Sequence, residues 1–151
     1  QKGALVLHML RNEMGDEKFF AGIREYYRTY RNGTALTHDL QRIMEQHAGR
    51  PLGWFFQQWI FRSGHPIIEA TWKWNPGAKT VTLRLNQTHA GDVFQVPLEV
   101  TLTVSSSVKQ EIVRMTQKQQ SFTFSLNAKP SLVSIDPDEW MLKELTLSEE
   151  R

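Results

Sequence analysis

Residues Phe55-Phe56-Gln57-Gln58-Trp59-Ile60-Phe61-Arg62-Ser63-Gly64-His65-Pro66-Ile67-Ile68-Glu69-Ala70-Thr71-Trp72-Lys73-Trp74 decide how this chain is read. On one side of Ser63 the apolar residues keep a helical period. Leu52, Phe55, Phe56, Trp59 and Ile60 fall at i, i+3, i+4, i+7 and i+8, the stripe of a buried helix face. Beyond His65 the period is two: Ile68, Ala70, Trp72 and Trp74 alternate with Glu69, Thr71 and Lys73, as on a half-buried strand. The switch places a boundary between a helical segment and a β segment at Arg62-Ser63-Gly64-His65-Pro66.

Working back from that boundary, three more helices are expected. Gly3 to Met14 is apolar nearly all round in its early turns, and Gly15 fits as its stop. Asp16 is placed to cap a second helix reaching about Arg31, with Phe19, Ile23, Tyr26, Tyr27 and Tyr30 inward. Thr37 is placed to cap a third, with Leu40, Ile43, Met44 and His47 inward and Gly49 at its end. Pro51 suits the first position of the fourth. Trp54 and Phe61, seven apart, make a second apolar stripe on that last helix. A helix apolar on two sides is normally sandwiched, so Trp54 and Phe61 are expected to meet a neighbouring part of a larger protein.

Working forward, short alternating runs follow one another. After Asn75-Pro76-Gly77, which is turn chemistry, come Val81, Leu83 and Leu85. The longest alternation runs from Phe94 to Val104, with Pro97 favouring an edge or a bulge. Ser105 to Ser107 turn the chain. Glu111 to Met115, Phe122 to Leu126, Leu132 to Ile135 and Trp140 to Leu142 supply the remaining strands. The expected fold class is therefore α+β: about four helices, then an immunoglobulin-like antiparallel β-sandwich of about seven strands. The expected divisions are a helical part at 1–64, a sandwich at 65–147 and a polar tail at 148–151.

Composition bounds the function. The 151 residues are 40% hydrophobic and 23% charged, enough for a packed core. No apolar run approaches the ~20 residues needed to span a membrane, so no membrane segment is expected. There is no cysteine, which removes thiolate chemistry and disulfides. The formal charge of +2 is spread over both halves, and no nucleic-acid partner is expected. Arg24, Arg28 and Arg31 form a basic stripe interleaved with tyrosines. Its plain reading is a solvated face partly neutralised by Glu25 and Asp16.

Catalytic patterns are sparse. A zinc peptidase helix needs two histidines one turn apart so that both imidazoles converge on one ion. None of His8, His38, His47, His65 or His89 has a histidine four residues on. His8 and His47 lie on apolar helix faces, where a satisfied core histidine is the plainer reading. No serine sits in a Gly-x-Ser-x-Gly elbow, and the nine glycines are scattered singly. No metal ligand and no cofactor are expected in this chain.

Several stretches, taken in order, resemble one family. Gln1-Lys2-Gly3-Ala4-Leu5-Val6-Leu7-His8-Met9-Leu10-Arg11 resembles the Tyr-x-Lys-Gly-Ala helix opening of the aminopeptidase N family of zinc metallopeptidases. Gly15-Asp16-Glu17-Lys18-Phe19-Phe20, Tyr26-Tyr27 and Thr37-His38-Asp39-Leu40 are similar to the helices that follow there. Phe55-Phe56-Gln57-Gln58-Trp59 with Gly64-His65-Pro66 resembles the exit from its catalytic domain, and Asp136-Pro137-Asp138 with Leu142-Lys143 the end of the next β-sandwich. The resemblance implies a parent aminopeptidase acting on peptide substrates, with zinc held by residues upstream of this chain. The family's catalytic tyrosine would immediately precede Gln1, and Lys2 and Gly3 would hold the turn that aims it. No catalytic residue is carried onto this chain, so the fragment is expected to be structural and inactive alone, with the upstream catalytic domain as its partner. The alternative is a non-catalytic aminopeptidase-like scaffold or protein-interaction module.

Overall fold

The computed structural model describes residues 2–150, which form two compact units that divide between Gly64 and His65. The helical unit opens with α1 (Lys2–Met14) and α2 (Asp16–Tyr30), continues through α3 (Thr37–Ala48), and closes with α4 (Gly53–Phe56) running into a π-helical segment, Gln57–Phe61. Its core is Val6, Met9, Leu10 and Met14 of α1, Phe19 of α2, Ile43, Met44 and Ala48 of α3, and Leu52, Phe55, Phe56 and Trp59. Gly15 ends α1: its N–H bonds Arg11 O at 2.8 Å, and its φ of 81° suits a residue without Cβ.

The helix ends depart from expectation in instructive ways. Gly15, not Asp16, takes the cap position of α2. Asp16 instead grips Arg11 through two 2.7 Å bonds, a bidentate pair that turns its carboxylate away from the helix end. In α3 the cap position is Leu36 rather than Thr37, and the Asp39 carboxylate accepts the Leu36 N–H at 2.9 Å. Pro51 precedes α4 rather than opening it, since the first helical residue is Gly53. Two inward assignments also fail. Tyr27 is 69% exposed because it sits on the outer face of α2, and Ile60 is 38% exposed. The π turn explains Ile60: its wider i→i+5 closure slips the face that an α-helical count would keep inward.

The second unit has seven strands: β1 (Ile67–Asn75), β2 (Thr80–Gln87), β3 (Val96–Val104), β4 (Ser107–Met115), β5 (Gln119–Ser125), β6 (Leu132–Ile135) and β7 (Glu144–Glu149). They make a four-stranded sheet in the order β5-β2-β1-β7 and a three-stranded sheet in the order β4-β3-β6. Ile68, Ala70 and Trp72, Val81, Leu83 and Leu85, and the five alternate residues of β3 from Val96 to Val104 are buried, so each sheet hides one face in the sandwich core. All pairs are antiparallel except β1 with β7, which is parallel in the register Ile68↔Leu145.

Three strand expectations change. Trp140 to Leu142 is not a strand but part of the loop leading to β7, because Asp136 captures the backbone there. Ser148 and Glu149, expected in a polar tail, belong to β7, where pairing with Thr71 and Trp72 supplies their ladder. Glu150 follows with two bonds from Arg84, at 2.8 and 2.7 Å, and one from the Thr71 hydroxyl at 2.7 Å. Pro97 lies in the central strand of its sheet rather than an edge. It is tolerated because β6 spans only four residues and pairs with Val100 to Thr103, short of Pro97.

Candidate functional site

The first turn of α1 carries both residues singled out for positioning. The Lys2 ammonium donates to Arg62 O at 3.3 Å and to Gly64 O at 3.5 Å. These carbonyls follow the π-helical segment, so a cation sits where a helix end leaves its carbonyls unpartnered. Lys2 thereby ties the start of the helical unit to its end. Gly3 is helical rather than in a turn, and a Cβ placed on it would meet nothing within 4 Å. Nothing in the described chain requires a glycine there. The residue ahead of Gln1 lies outside this chain, and Gln1 itself lies outside the described residues.

Trp54 and Phe61 do not share one environment. Trp54 is half-buried and packs edge-on against Phe55 at 5.7 Å. Phe61 is 47% exposed and stacks on His38 at 5.2 Å, with the rings 24° apart. Leu36, just ahead of α3, is 67% exposed, and Ile60 lies beside Phe61 in sequence. On α1, Leu7 is also exposed. The helical unit therefore shows apolar side chains at the beginning of α3, along the π segment and on α1.

Besides His38, three histidines make contacts within their own units. His47 Nε2 meets Glu25 Oε2 at 2.6 Å, joining α2 to α3. His65 Nε2 meets Glu144 Oε1 at 2.8 Å, beside the start of β7. His89 packs edge-on against Phe94. Among the described residues no three His, Asp or Glu side chains come together in a way that could hold a metal ion.

Two buried polar networks in the sandwich escaped sequence reading. Gln87 is 1% exposed; its amide nitrogen donates to Phe94 O at 2.8 Å and its amide oxygen accepts from Phe94 N at 2.9 Å. One side chain thus replaces a missing strand across the 88–93 loop. The Asp136 carboxylate accepts from Trp140 N and Met141 N, each at 3.0 Å, and pairs with the Lys143 ammonium. The sequence signal for the second was Asp136-Pro137-Asp138 with Lys143, noticed only as a resemblance. For Gln87 there was none, because a glutamine at a strand end is ordinarily a surface residue.

The model of the peptidase family M1 domain matches residues 1–59, the stretch that forms the helical unit up to Trp59. The probable aminopeptidase 2 of Sulfurisphaera tokodaii is 30% identical over 139 residues, covering 89% of this chain and 17% of that protein. Residues 1–59 belong to the peptidase family M1 domain. Rice aminopeptidase M1-A is 28% identical over 130 residues, which is 83% of this chain and 14% of the rice protein. The likeness in fold extends beyond the helices. Aminopeptidase A of Legionella pneumophila, solved in complex with aspartic acid, superposes with a TM-score of 0.80 at 20% identity, over 96% of this chain and 17% of that one. The chain thus spans about a sixth of the length of the S. tokodaii and L. pneumophila proteins.

Proposed function

We propose that this chain is the carboxy-terminal part of the peptidase domain of a zinc-dependent M1 aminopeptidase, together with the β-sandwich that follows it, and that its role is structural. The observation that carries this is the M1 peptidase-domain match over residues 1–59 in a chain one sixth the length of its relative. The exposed Leu7, Leu36, Ile60 and Phe61 support it, as surfaces that the rest of a peptidase domain covers. Trp54 and Phe61 are contacts to that domain. Lys2, anchored to Arg62 and Gly64, fixes the first turn of α1 behind a tyrosine immediately ahead of Gln1, and Gly3 follows it in that turn. The zinc ligands and the peptide-binding groove belong to the preceding part of the parent.

The test is the coding sequence upstream of Gln1, followed by elemental analysis and aminoacyl-arylamide hydrolysis on this chain and on the longer polypeptide. A tyrosine directly before Gln1, a His-Glu-x-x-His motif further upstream, and zinc and activity in the longer protein only are expected. Stoichiometric zinc in this chain alone, with activity abolished by replacing one of its histidines, overturns the reading.

A further inference from the structure

The outer face of α2 is not the neutralised surface that its composition suggests. Glu25, the expected counter-ion, is committed to His47 at 2.6 Å, and Asp16 to Arg11 at 2.7 Å. Arg24, Arg28 and Arg31 are exposed, and none of the three makes an ion pair or side-chain hydrogen bond among the described residues. Two aromatic rings share this face. Phe20, four residues before Arg24, is 42% exposed with the Arg11 guanidinium 5.2 Å from its ring centre. Tyr27, three residues after Arg24, is 69% exposed. Positions 20, 24, 27, 28 and 31 follow i, i+4, i+7, i+8 and i+11, one continuous stripe about 16 Å long.

We propose that this stripe is a docking surface for an acidic polypeptide segment. Tyrosine and arginine are the side chains that carry most binding energy at protein interfaces. Here a solvent-facing tyrosine sits among three uncompensated guanidiniums, so an acidic partner gains charge pairing at the rim and ring burial at the centre. Helix-end electrostatics account for Arg28 and Arg31, which lie near the carboxy terminus of α2, but not for Arg24 in mid-helix. Charge complementarity selects the partner class. Three charges over a helix face are too few for a duplex, whose non-specific binders neutralise more phosphates, and fewer than the four to eight of a lipid-binding cluster. This inference rests on the surface of α2 and is independent of whether the parent is an active peptidase.

The experiment measures fluorescence anisotropy of a short labelled peptide rich in glutamate with a central leucine. Its glutamine counterpart, a short DNA duplex and phosphatidylserine vesicles are run alongside. The protein is this chain and the longest polypeptide in which it occurs, each in low salt. Binding of the acidic peptide is expected, weakening with salt and absent for the glutamine peptide. Arg24→Glu with Arg28→Glu lowers affinity about tenfold or more, and Tyr27→Ala about fivefold or more. Lys73→Glu, on a β-strand, leaves it unchanged. All these side chains are exposed or on the sheet surface, and an unchanged circular dichroism spectrum checks the fold. Four results overturn the proposal: no acidic-peptide binding, affinity unmoved by the arginine reversals, tighter binding to duplex or vesicles, or binding by this chain that vanishes in the longer polypeptide.

Discussion

Replacing Asp136 by alanine should cost the sandwich more than any other single change to its polar groups. The carboxylate is 2% exposed and the Lys143 ammonium beside it 8% exposed. Alanine leaves that ammonium buried without a partner, and breaking a buried pair from one side costs about 3–5 kcal/mol. It also removes the acceptor that takes the Trp140 and Met141 N–H groups at 3.0 Å. Asp136 has a φ of 51°, a left-handed conformation that costs alanine a further ~1 kcal/mol. Against a total stability of about 5–15 kcal/mol, the loss is a large fraction, equivalent to about 12 °C or more in Tm for a domain of this size. Urea unfolding followed by tryptophan fluorescence measures it. Circular dichroism at the helical minimum follows the helical unit separately, because two units need not unfold together. Asp136→Asn, which keeps the backbone preference and one acceptor, should fall between. Adding Lys143→Met to Asp136→Ala should recover part of the loss, since it removes the orphaned charge. A cost below about 1 kcal/mol for the single change, or no recovery in the double variant, would refute the network as the lock on this loop.

The other predictions concern the remaining tight points. A Cβ at Gly22 would lie 2.7 Å from the buried Met44 Sδ, so Gly22→Val should destabilise the helical unit by about 1–3 kcal/mol in thermal melts. Gly22→Ala should cost less, because the helix-propensity gain of about 1 kcal/mol offsets part of the clash. Gln87→Leu removes the two hydrogen bonds that the buried Gln87 amide makes with Phe94 N–H and C=O and should cost about 2–4 kcal/mol, with amide exchange quickened at Phe94. The Leu36 N–H, and after it the Tyr30 hydroxyl, hold the Asp39 carboxyl below the usual carboxylate range. Its folded value is depressed, so its stabilisation is present above about pH 4 and lost as pH falls through the folded value. Asp39→Asn should therefore flatten the acid side of the helical unit's stability profile, and an unchanged slope there would contradict the assignment.

The legible part of the fold was the part written in local periodicity. Four helical segments and the change of period at Ser63 follow from which faces are apolar, and Gly15 and Gly49 mark helix ends through their backbone freedom. What failed depended on competition between partners. Asp16 and Thr37 both have the chemistry of a cap, yet Asp16 is taken by Arg11 and the α3 cap is supplied from Asp39. Ile60 failed because the period itself changes inside the last helix. Trp140 to Leu142 failed because an apolar triplet in the sequence carries no sign of the carboxylate that captures its N–H groups. Lys2 stands out in the sequence only through a resemblance, and its hydrogen bonds to Arg62 and Gly64 span sixty residues of chain and are invisible locally.

By itself the sequence determined the class of the protein: helices followed by strands, no thiol chemistry, no paired histidines for a zinc helix, and an ordered set of segments resembling the aminopeptidase N family. These are properties of neighbours along the chain, and neighbours are what a sequence lists. Only the tertiary structure decided which charges are spent and which are left over. Glu25 and Asp16 flank the arginines of α2 in sequence but are drawn to His47 and Arg11 in space, leaving Arg24, Arg28 and Arg31 facing solvent around Tyr27. It also set β7 parallel to β1, because that pairing joins strands at opposite ends of the sandwich unit. A long-range pairing is fixed by the competition among all possible partners once the core has formed, and no stretch of sequence contains that competition.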